Sequence, residues 1–470
     1  MSGSRTKLVC TIGPASVDDV AELVAAGMDV ARVNFSHGTH EEHELAVGRI
    51  RDAGGAVALL VDLPGPKIRL GDLADETLRL ASGDGFVLRP TDTTPGDASG
   101  AHVSYPRLAS DVRAGDRILL ADGAVELRVT STTDEVVTEV VRGGMIRPHA
   151  GVSVPSDRLS EPALTDADRA DAPRAVALGA DYLAQSFVRR AADVEELRRL
   201  LGPGGPPIVA KIETRPAVDD FDAICRAADA VMIARGDLGV ELPYEEVPIL
   251  QKQLVRRALD LGVPTIVATQ MLESMTSSPR PTRAEASDVA NAIFDGADAI
   301  MLSGETAIGA YPVLAAEAAV RIALLCEDRG AEHLPDGAPP TGDTDANAMA
   351  YSAVVLAETD RDVAAIACYT RTGRTARIIS SLRPRVPILA FSPDPRVVAQ
   401  LALVHGVEPR ACVPPSAVEG RLGLMAWLLG EDSALPPGAA VVLVASSAQP
   451  GSGPNLLEVH RVPGAGGPQL

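Results

Sequence analysis

The chain has 470 residues, 46% of them hydrophobic but only 3% aromatic, and a formal net charge of −20. At about 100–200 residues per domain this length implies two to four domains, with aliphatic cores of the kind found where helices cover a buried parallel sheet. An acidic surface without long basic runs argues against a nucleic-acid binder, and five scattered cysteines with no C-x-x-C pair argue against a disulfide or zinc scaffold.

The segment Met1–Lys7 is polar and no apolar run approaches membrane-spanning length, so a cytoplasmic protein is expected. Eight short β-rich apolar runs then recur: Thr6–Gly13, Val30–Ser36, Val57–Leu63, Tyr182–Val188, Ile208–Thr214, Ala230–Gly236, Pro264–Gln270 and Ala299–Ser303. Amphipathic, Ala-rich stretches such as Val17–Ala26, Ala191–Leu201, Val247–Leu261 and Arg283–Phe294 lie between them. Alternation of strand and helix predicts parallel βα units, and eight strands are the number in a (β/α)8 TIM barrel. The rhythm breaks after the third run. Short alternating strands, Arg117–Leu120, Val125–Thr130 and Glu135–Val141, predict a small inserted all-β domain, a small β-barrel, after which Leu159–Leu178 reads as the helix that resumes the barrel. The Pro/Gly-rich stretch Leu334–Thr344 reads as a linker. Beyond it, Val363–Tyr369, Val386–Ser392, Glu408–Val413 and Ala440–Ser446 predict a C-terminal open α/β domain, and Pro463–Leu470 a frayed tail. The expected division is a barrel catalytic domain over 1–65 and 158–337, a β lid over 66–157, and a C-terminal α/β domain over 345–470.

In such a barrel the site lies at the C-terminal ends of the strands. The second run carries Arg32, Asn34 and Ser36 at alternate positions, hence on one face: a guanidinium beside two neutral oxygens, suited to a phosphate or a cation. The fifth run carries Lys211 and Glu213 by the same rule, and the sixth ends Arg235-Gly236-Asp237. Buried strands seldom carry Lys or Glu without a partner. Lys211 and Glu213 are either a structural pair at the rim or part of a working site. In the second case Glu213 and Asp237 are the carboxylates of a hard divalent ion, Lys211 lies near a transferring phosphoryl group, and the Gly236 and Asp237 amides can hold a carboxylate. Thr269 and Ser303 end the seventh and eighth runs, where a hydroxyl can equally be a helix cap.

These segments, in this order, resemble the pyruvate kinase family. The matching runs are Cys10–Ser16, Arg32–Gly38, Lys211–Glu213, Ala234–Gly239, Ala268–Met275, Pro279–Glu285 and Ser303–Ala307, and the likeness spans nearly the whole chain. The resemblance implies transfer of the phosphoryl group of phosphoenolpyruvate to ADP, the last step of glycolysis. It places the substrate carboxylate on Gly236, Asp237 and Thr269, the phosphate on Arg32 and Lys211, and magnesium, or manganese in its place, on Glu213 and Asp237. Thr269, through water and Ser303, would end the proton relay to the enolate. The nucleotide would meet Thr11, Pro14, Asn34, Phe35, Ser36, His37 and Arg69 under the β lid. The family also implies a homotetramer and a phosphorylated effector at Thr370, Arg371, Thr372, Gly373, Arg374 and Thr375, with Gly451–Gly453 as a second wall. Two rivals share parts of this pattern: a carbon–carbon lyase acting on a pyruvate enolate, which needs no lid, and an inactive sensor, which need not keep all four of Arg32, Lys211, Glu213 and Asp237.

The chain departs from the family in two places. Where the family's lid has a Lys facing the nucleotide phosphates, this chain reads Arg147-Pro148-His149, so either Arg147 or His149 stands in. After the third run many members have a Thr and, four residues on, a Glu beside a bound potassium ion. Here those places are Leu63 and Lys67. A tethered ammonium would repel potassium and supply its charge, so the enzyme is expected not to require potassium.

Overall fold

The computed structural model describes residues 3–54, 57–337, 344–413, 435–445 and 455–462, together with residues 423, 425, 426 and 429. Eight strands form the barrel: β1 (Lys7–Thr11), β2 (Val30–Asn34), β3 (Ala58–Leu63), β4 (Tyr182–Gln185), β5 (Ile208–Ile212), β6 (Ala230–Ala234), β7 (Thr265–Ala268) and β8 (Ala299–Leu302). All neighbours are parallel, and β1 pairs with both β2 and β8 to close the cylinder.

Side-chain alternation divides each strand between two cores. On β3, Leu59, Val61 and Leu63 face the helices, while Ala58 and Leu60 fill the barrel interior. The interior is completed by Ala402 and Leu403 of the C-terminal domain, which plug the barrel floor. The floor is further tied by the Tyr182 hydroxyl, which donates to the Gln400 carbonyl.

Seven of the eight strands stop short of the periodic runs at their C-terminal ends because the chain turns there. Ala234 passes directly into the helix Arg235–Glu241, and after Ala268 the backbone enters the left-handed region at Thr269 (φ 71°) and Gln270 (φ 54°). The helix expected over Leu159–Leu178 begins only at Asp166. Pro162 disfavours a helical residue before it, and Thr165 caps the true start: Thr165 Oγ1 accepts from Asp168 N (3.1 Å) and Asp168 Oδ2 from Thr165 N (2.8 Å).

Between β3 and that helix the chain builds a curled six-stranded sheet and a two-stranded ribbon. They share a separate core of Phe86, Leu88, Ile118, Leu127, Val129 and their neighbours, all buried. The C-terminal sheet has β9 (Val363–Tyr369), β10 (Ile388–Ser392), β11 (Val407–Ala411), β12 (Ala440–Ala445) and β13 (Leu456–Arg461), in the order β11-β10-β9-β12-β13. The antiparallel edge strand β13 was not anticipated from the sequence. Most of the linker, residues 338–343, the Gly451–Gly453 wall and the tail from Pro463 lie outside the described residues.

Candidate active site

A cavity of about 730 Å³ lies between the C-terminal rim of the barrel and the inserted domain. Its barrel wall carries Arg32, Asn34, Ser36, His37, Ser186, Lys211, Glu213, Asp237, Thr269 and Ser303, and its lid wall carries Arg69, Arg147 and His149, with Lys67 at the hinge.

The floor of the cavity is an ion cluster. The Arg32 guanidinium donates Nε–H and Nη2–H to Asp62 Oδ2 (2.9 and 2.6 Å) and Nη1–H to Thr11 Oγ1 (2.9 Å). Lys211 Nζ lies 2.8 Å from Glu213 Oε1, 3.4 Å from Asp62 Oδ1 and 2.8 Å from Ser186 Oγ. Glu213 Oε2 accepts the Phe187 amide at 2.8 Å. Burial alone would neutralise Lys211 and Asp62, but the charges around them oppose it. At Lys211 burial is opposed by Asp62, Glu213 and Asp237, which keep the ammonium above its ordinary range. At Asp62 burial is outweighed by Lys211 and Arg32, and the carboxyl sits below its ordinary range.

Asp237 behaves differently. Burial first and Glu213 second push its carboxyl up to about 6, against the pull of Lys211 and Lys67. Two carboxylates in mutual repulsion are the donor set that a hard dication relieves, and magnesium typically takes only one or two carboxylates, the remaining ligands being substrate oxygens and water. Among the described residues no group of three or more His, Cys, Asp or Glu is placed to form an all-protein metal cage. The residues therefore fit an ion that substrate helps to hold.

The Thr269 turn is unusual. A β-branched residue at φ 71° costs of order 1–3 kcal/mol and persists only when its surroundings impose it. Here they do. Thr269 Oγ1 accepts the Gly236 amide (2.7 Å) and donates to the Ala268 carbonyl (2.6 Å), and Arg235 Nη2 donates to the Thr269 carbonyl (2.8 Å). A side chain at Gly236 would place its Cβ 3.3 Å from Thr269 Oγ1, so glycine keeps this approach open. Opposite, Ser303 Oγ is buried and has no hydrogen-bond partner among the described residues.

The other sequence expectations divide. Asn34, Ser36, His37 and Arg69 line the cavity, whereas Thr11, Pro14 and Phe35 are not on its wall. Thr11 stands behind Arg32, Pro14 is exposed in the turn after β1, and Phe35 is buried with its ring stacked on His43 at 4.3 Å. Burial, then Lys67, Arg69 and Arg32, hold the His37 imidazole below its ordinary value. Leu63 packs outward against the helices, so its side chain does not reach the cavity, where the notable difference is Lys67. Among the described residues the Lys67 ammonium has neither a hydrogen bond nor an ion pair; burial and its cationic neighbours Lys211 and Arg69 lower its affinity for the proton. Ser186 was not singled out from the sequence, although it too interrupts an apolar run at a strand end. Thr370–Thr375 turns from β9 into the helix Arg374–Ser381, with Gly373 left-handed at φ 78° and no side-chain cap.

Two family models match the chain, the barrel domain of pyruvate kinase over residues 3–316 and its alpha/beta domain over 347–460. A pyruvate kinase of Mycobacterium tuberculosis is 43% identical over 97% of this chain and 98% of its own length. One from Geobacillus stearothermophilus is 42% identical over 97% of this chain and 80% of its own length. A crystal structure of a pyruvate kinase from Cryptosporidium parvum superposes with a TM-score of 0.88 at 34% identity, covering 98% of this chain and 96% of that one. With the barrel, the insertion and the C-terminal sheet all matched at this identity, the chain belongs to the pyruvate kinase family, enzymes that move the phosphoryl group of phosphoenolpyruvate to ADP to give pyruvate and ATP.

Proposed function

We propose that phosphoenolpyruvate lies on the barrel wall with its phosphate against Arg32 and Lys211 and its carboxylate on the Gly236 and Asp237 amides and Thr269. The observation that carries this reading is the Lys211 ammonium, held charged between Asp62, Glu213 and Ser186 on the cavity wall. Phosphoryl transfer asks a protein mainly for position and countercharge, and Lys211 and Arg32 supply both as charge moves from the enolate oxygen toward ADP. Magnesium, or manganese in its place, held by Glu213 and Asp237, supplies further countercharge to the substrate oxygens when bound. Thr269 then delivers the proton to the enolate carbon and regains it through Ser303. ADP lies against Asn34, Ser36, His37 and Arg69. Arg147 is the lid's phosphate contact: its side chain is exposed on the lid wall with no partner among the described residues, whereas His149 Nε2 is 3.3 Å from Asp72 Oδ1.

The metal reading is tested by magnesium titration of Glu213→Gln and Asp237→Asn. Each should need at least about tenfold more magnesium for half-maximal rate, since hard cations need anionic oxygens. Curves that overlay the parent's would remove the site.

The unpaired Lys67 ammonium supports potassium independence. Near-full activity is expected with tetramethylammonium as the sole monovalent cation, and Lys67→Glu should lower it there, with partial rescue by potassium. About tenfold potassium activation of the parent would overturn this.

Thr370–Thr375 is proposed to take a phosphorylated effector, its exposed Arg371 and Thr372 beside an uncapped helix start; a thermal-shift panel of sugar phosphates and AMP tests it. Exposed Tyr244, Ile249 and Ile308 on the barrel domain fit burial in a cytoplasmic homotetramer, and a monomer by light scattering would count against it.

A further inference from the structure

Glu305 lies in the one-turn helix Gly304–Ala307 that follows β8 and is completely buried. Its two oxygens reach different loops: Oε1 accepts the Leu272 amide at 2.9 Å, and Oε2 accepts the Ser303 amide at 2.7 Å. Among the described residues no cation pairs with it. A carboxylate removed from water without a cation is costly to keep, and among the described residues two backbone amides are the donors that hold it.

The two amides share one property, their place. Leu272 closes the turn whose left-handed residues are Thr269 and Gln270, and Ser303 is the neighbouring strand end. Arg235 grips the same turn from the other side, donating to the Thr269 carbonyl and, through Nη1, to Asp288 Oδ1 at 2.7 Å. The turn is thus held by a guanidinium on a carbonyl and a carboxylate on an N–H, each matched in polarity. The same carboxylate sets where Ser303 stands relative to Thr269.

We propose that Glu305 is a positioning residue for the protonation step: one carboxylate fixes Thr269 and Ser303 in a single geometry, so that the proton reaches one face of the enolate. This rests on the reading of Thr269 and Ser303 as the proton relay. In that step the C2–C3 π pair becomes a C–H bond at the methylene carbon, and the C2–O bond becomes a carbonyl. The proton leaves the Thr269 hydroxyl and is restored from water through Ser303. Glu305 touches none of the reacting atoms.

The chemistry of the contact selects Glu. Both partners are N–H donors, so both receiving atoms must be acceptors. Glutamine of the same shape offers one acceptor and one NH2, and whichever way it turns, one of the two loops faces a donor and lets go.

The test compares three variants, Glu305→Gln, Glu305→Asp and Thr269→Ala, in two measurements that separate protonation from binding. The first is exchange of the pyruvate methyl protons in D2O with magnesium and ATP, together with the stereochemistry of the methyl group formed from 3-deuterated phosphoenolpyruvate in tritiated water. The second is calorimetric affinity for magnesium and phosphoenolpyruvate without ADP. For Glu305→Gln, exchange should fall on the order of 100-fold, the size of effect expected from a displacement of about 1 Å, and the methyl group should lose much of its chirality as enolpyruvate ketonises in solution. Affinity should fall by less than about tenfold, since Thr269 is only one of the proposed carboxylate contacts beside the Gly236 and Asp237 amides, and so far less than exchange, a split between kcat and binding that general destabilisation does not produce. Glu305→Asp keeps both acceptors but is one methylene shorter, and should lose exchange in the same direction. Exchange and chirality unchanged in Glu305→Gln, with Thr269→Ala impaired, overturns the role of Glu305 and leaves the relay standing. No change in Thr269→Ala either removes the relay itself. If Glu305→Gln does not fold, Glu305→Asp decides by the same measurements, and failure of both to fold would assign Glu305 to the fold alone and overturn the proposal.

Discussion

Three strands converge on one nitrogen: the Lys211 ammonium meets Asp62 from the end of β3, Ser186 from the end of β4 and Glu213 from the end of β5. Lys211→Met should therefore lower ATP formation by on the order of 100–1,000-fold, the usual loss when a preorganised charge stabiliser is removed. The fold should survive, because Arg32 still pairs with Asp62 and the Phe187 amide with Glu213. Turnover within tenfold of the parent, with native circular dichroism, would remove Lys211 from the mechanism. At this scale the sequence was informative where period two applies: Arg32 with Asn34, and Lys211 with Glu213, emerge on shared faces and on the cavity wall. It was uninformative where the partner comes from another strand. Nothing local says that Arg32 forks onto Asp62, that Ser186 reaches Lys211, or that Thr269 adopts a positive φ, since each of these is fixed by the closure of the barrel.

The strands were legible as elements because buried parallel strands are continuous apolar runs, but the C-terminal ends of seven of them were not, by one to three residues, because the chain turns there into loops such as Glu213-Thr214 and Thr269-Gln270 that the run alone does not delimit. The edge strand β13 escaped notice for the opposite reason: Leu456–Arg461 is mixed in polarity and largely exposed. The clearest local signal of the true helix start is the capping box at Thr165. Asp168 completes that box, and its Oδ1 also accepts the Gly65 amide at 3.0 Å, just where the chain leaves for the lid with Gly65 at φ 65°. Asp168 is almost fully buried. Asp168→Ala keeps the Thr165 cap, which accepts a backbone amide, but should lose the hydrogen bond of the Thr165 N–H, about 0.5–1.5 kcal/mol, and leave the buried Gly65 N–H unsatisfied, about 1–3 kcal/mol more. Denaturant unfolding should register a loss of about 2–4 kcal/mol, and a loss below about 0.5 kcal/mol would show that the hinge does not depend on it. Asp168→Asn keeps an acceptor for one of the two loops and should lose less.

Across the whole molecule, the barrel is sealed below by the C-terminal domain and covered above by the insertion. The lower seal predicts an alkaline weakness. Burial pushes the Tyr182 hydroxyl up to about 12, from an ordinary value near 10. A folded pKa above the unfolded one contributes stability that is intact below pH 10 and is lost as pH rises through about 12. The parent should lose about 2–3 kcal/mol relative to Tyr182→Phe across that interval, measured by urea unfolding at stepped pH. Parallel pH curves for the two proteins would show that this hydroxyl does not link floor to barrel. Domain order was readable from the sequence because the three regions differ in periodicity, but which segment plugs the floor was not, because Ala402 and Leu403 look like any other helix-end residues. The closing pair of the barrel has a further consequence, for biosynthesis. Lys7 lies opposite Ala299, about 290 residues later in the chain. At about 5–20 residues per second, the ribosome holds β1 without its final neighbour for roughly 15–60 s. The insertion needs no such wait, since its strands and core lie within one stretch, Ile68–Val154. Nascent chains arrested before residue 299 should therefore carry a protease-resistant insertion on a protease-sensitive, chaperone-accessible half-barrel, and the barrel should become resistant only once β8 has left the exit tunnel.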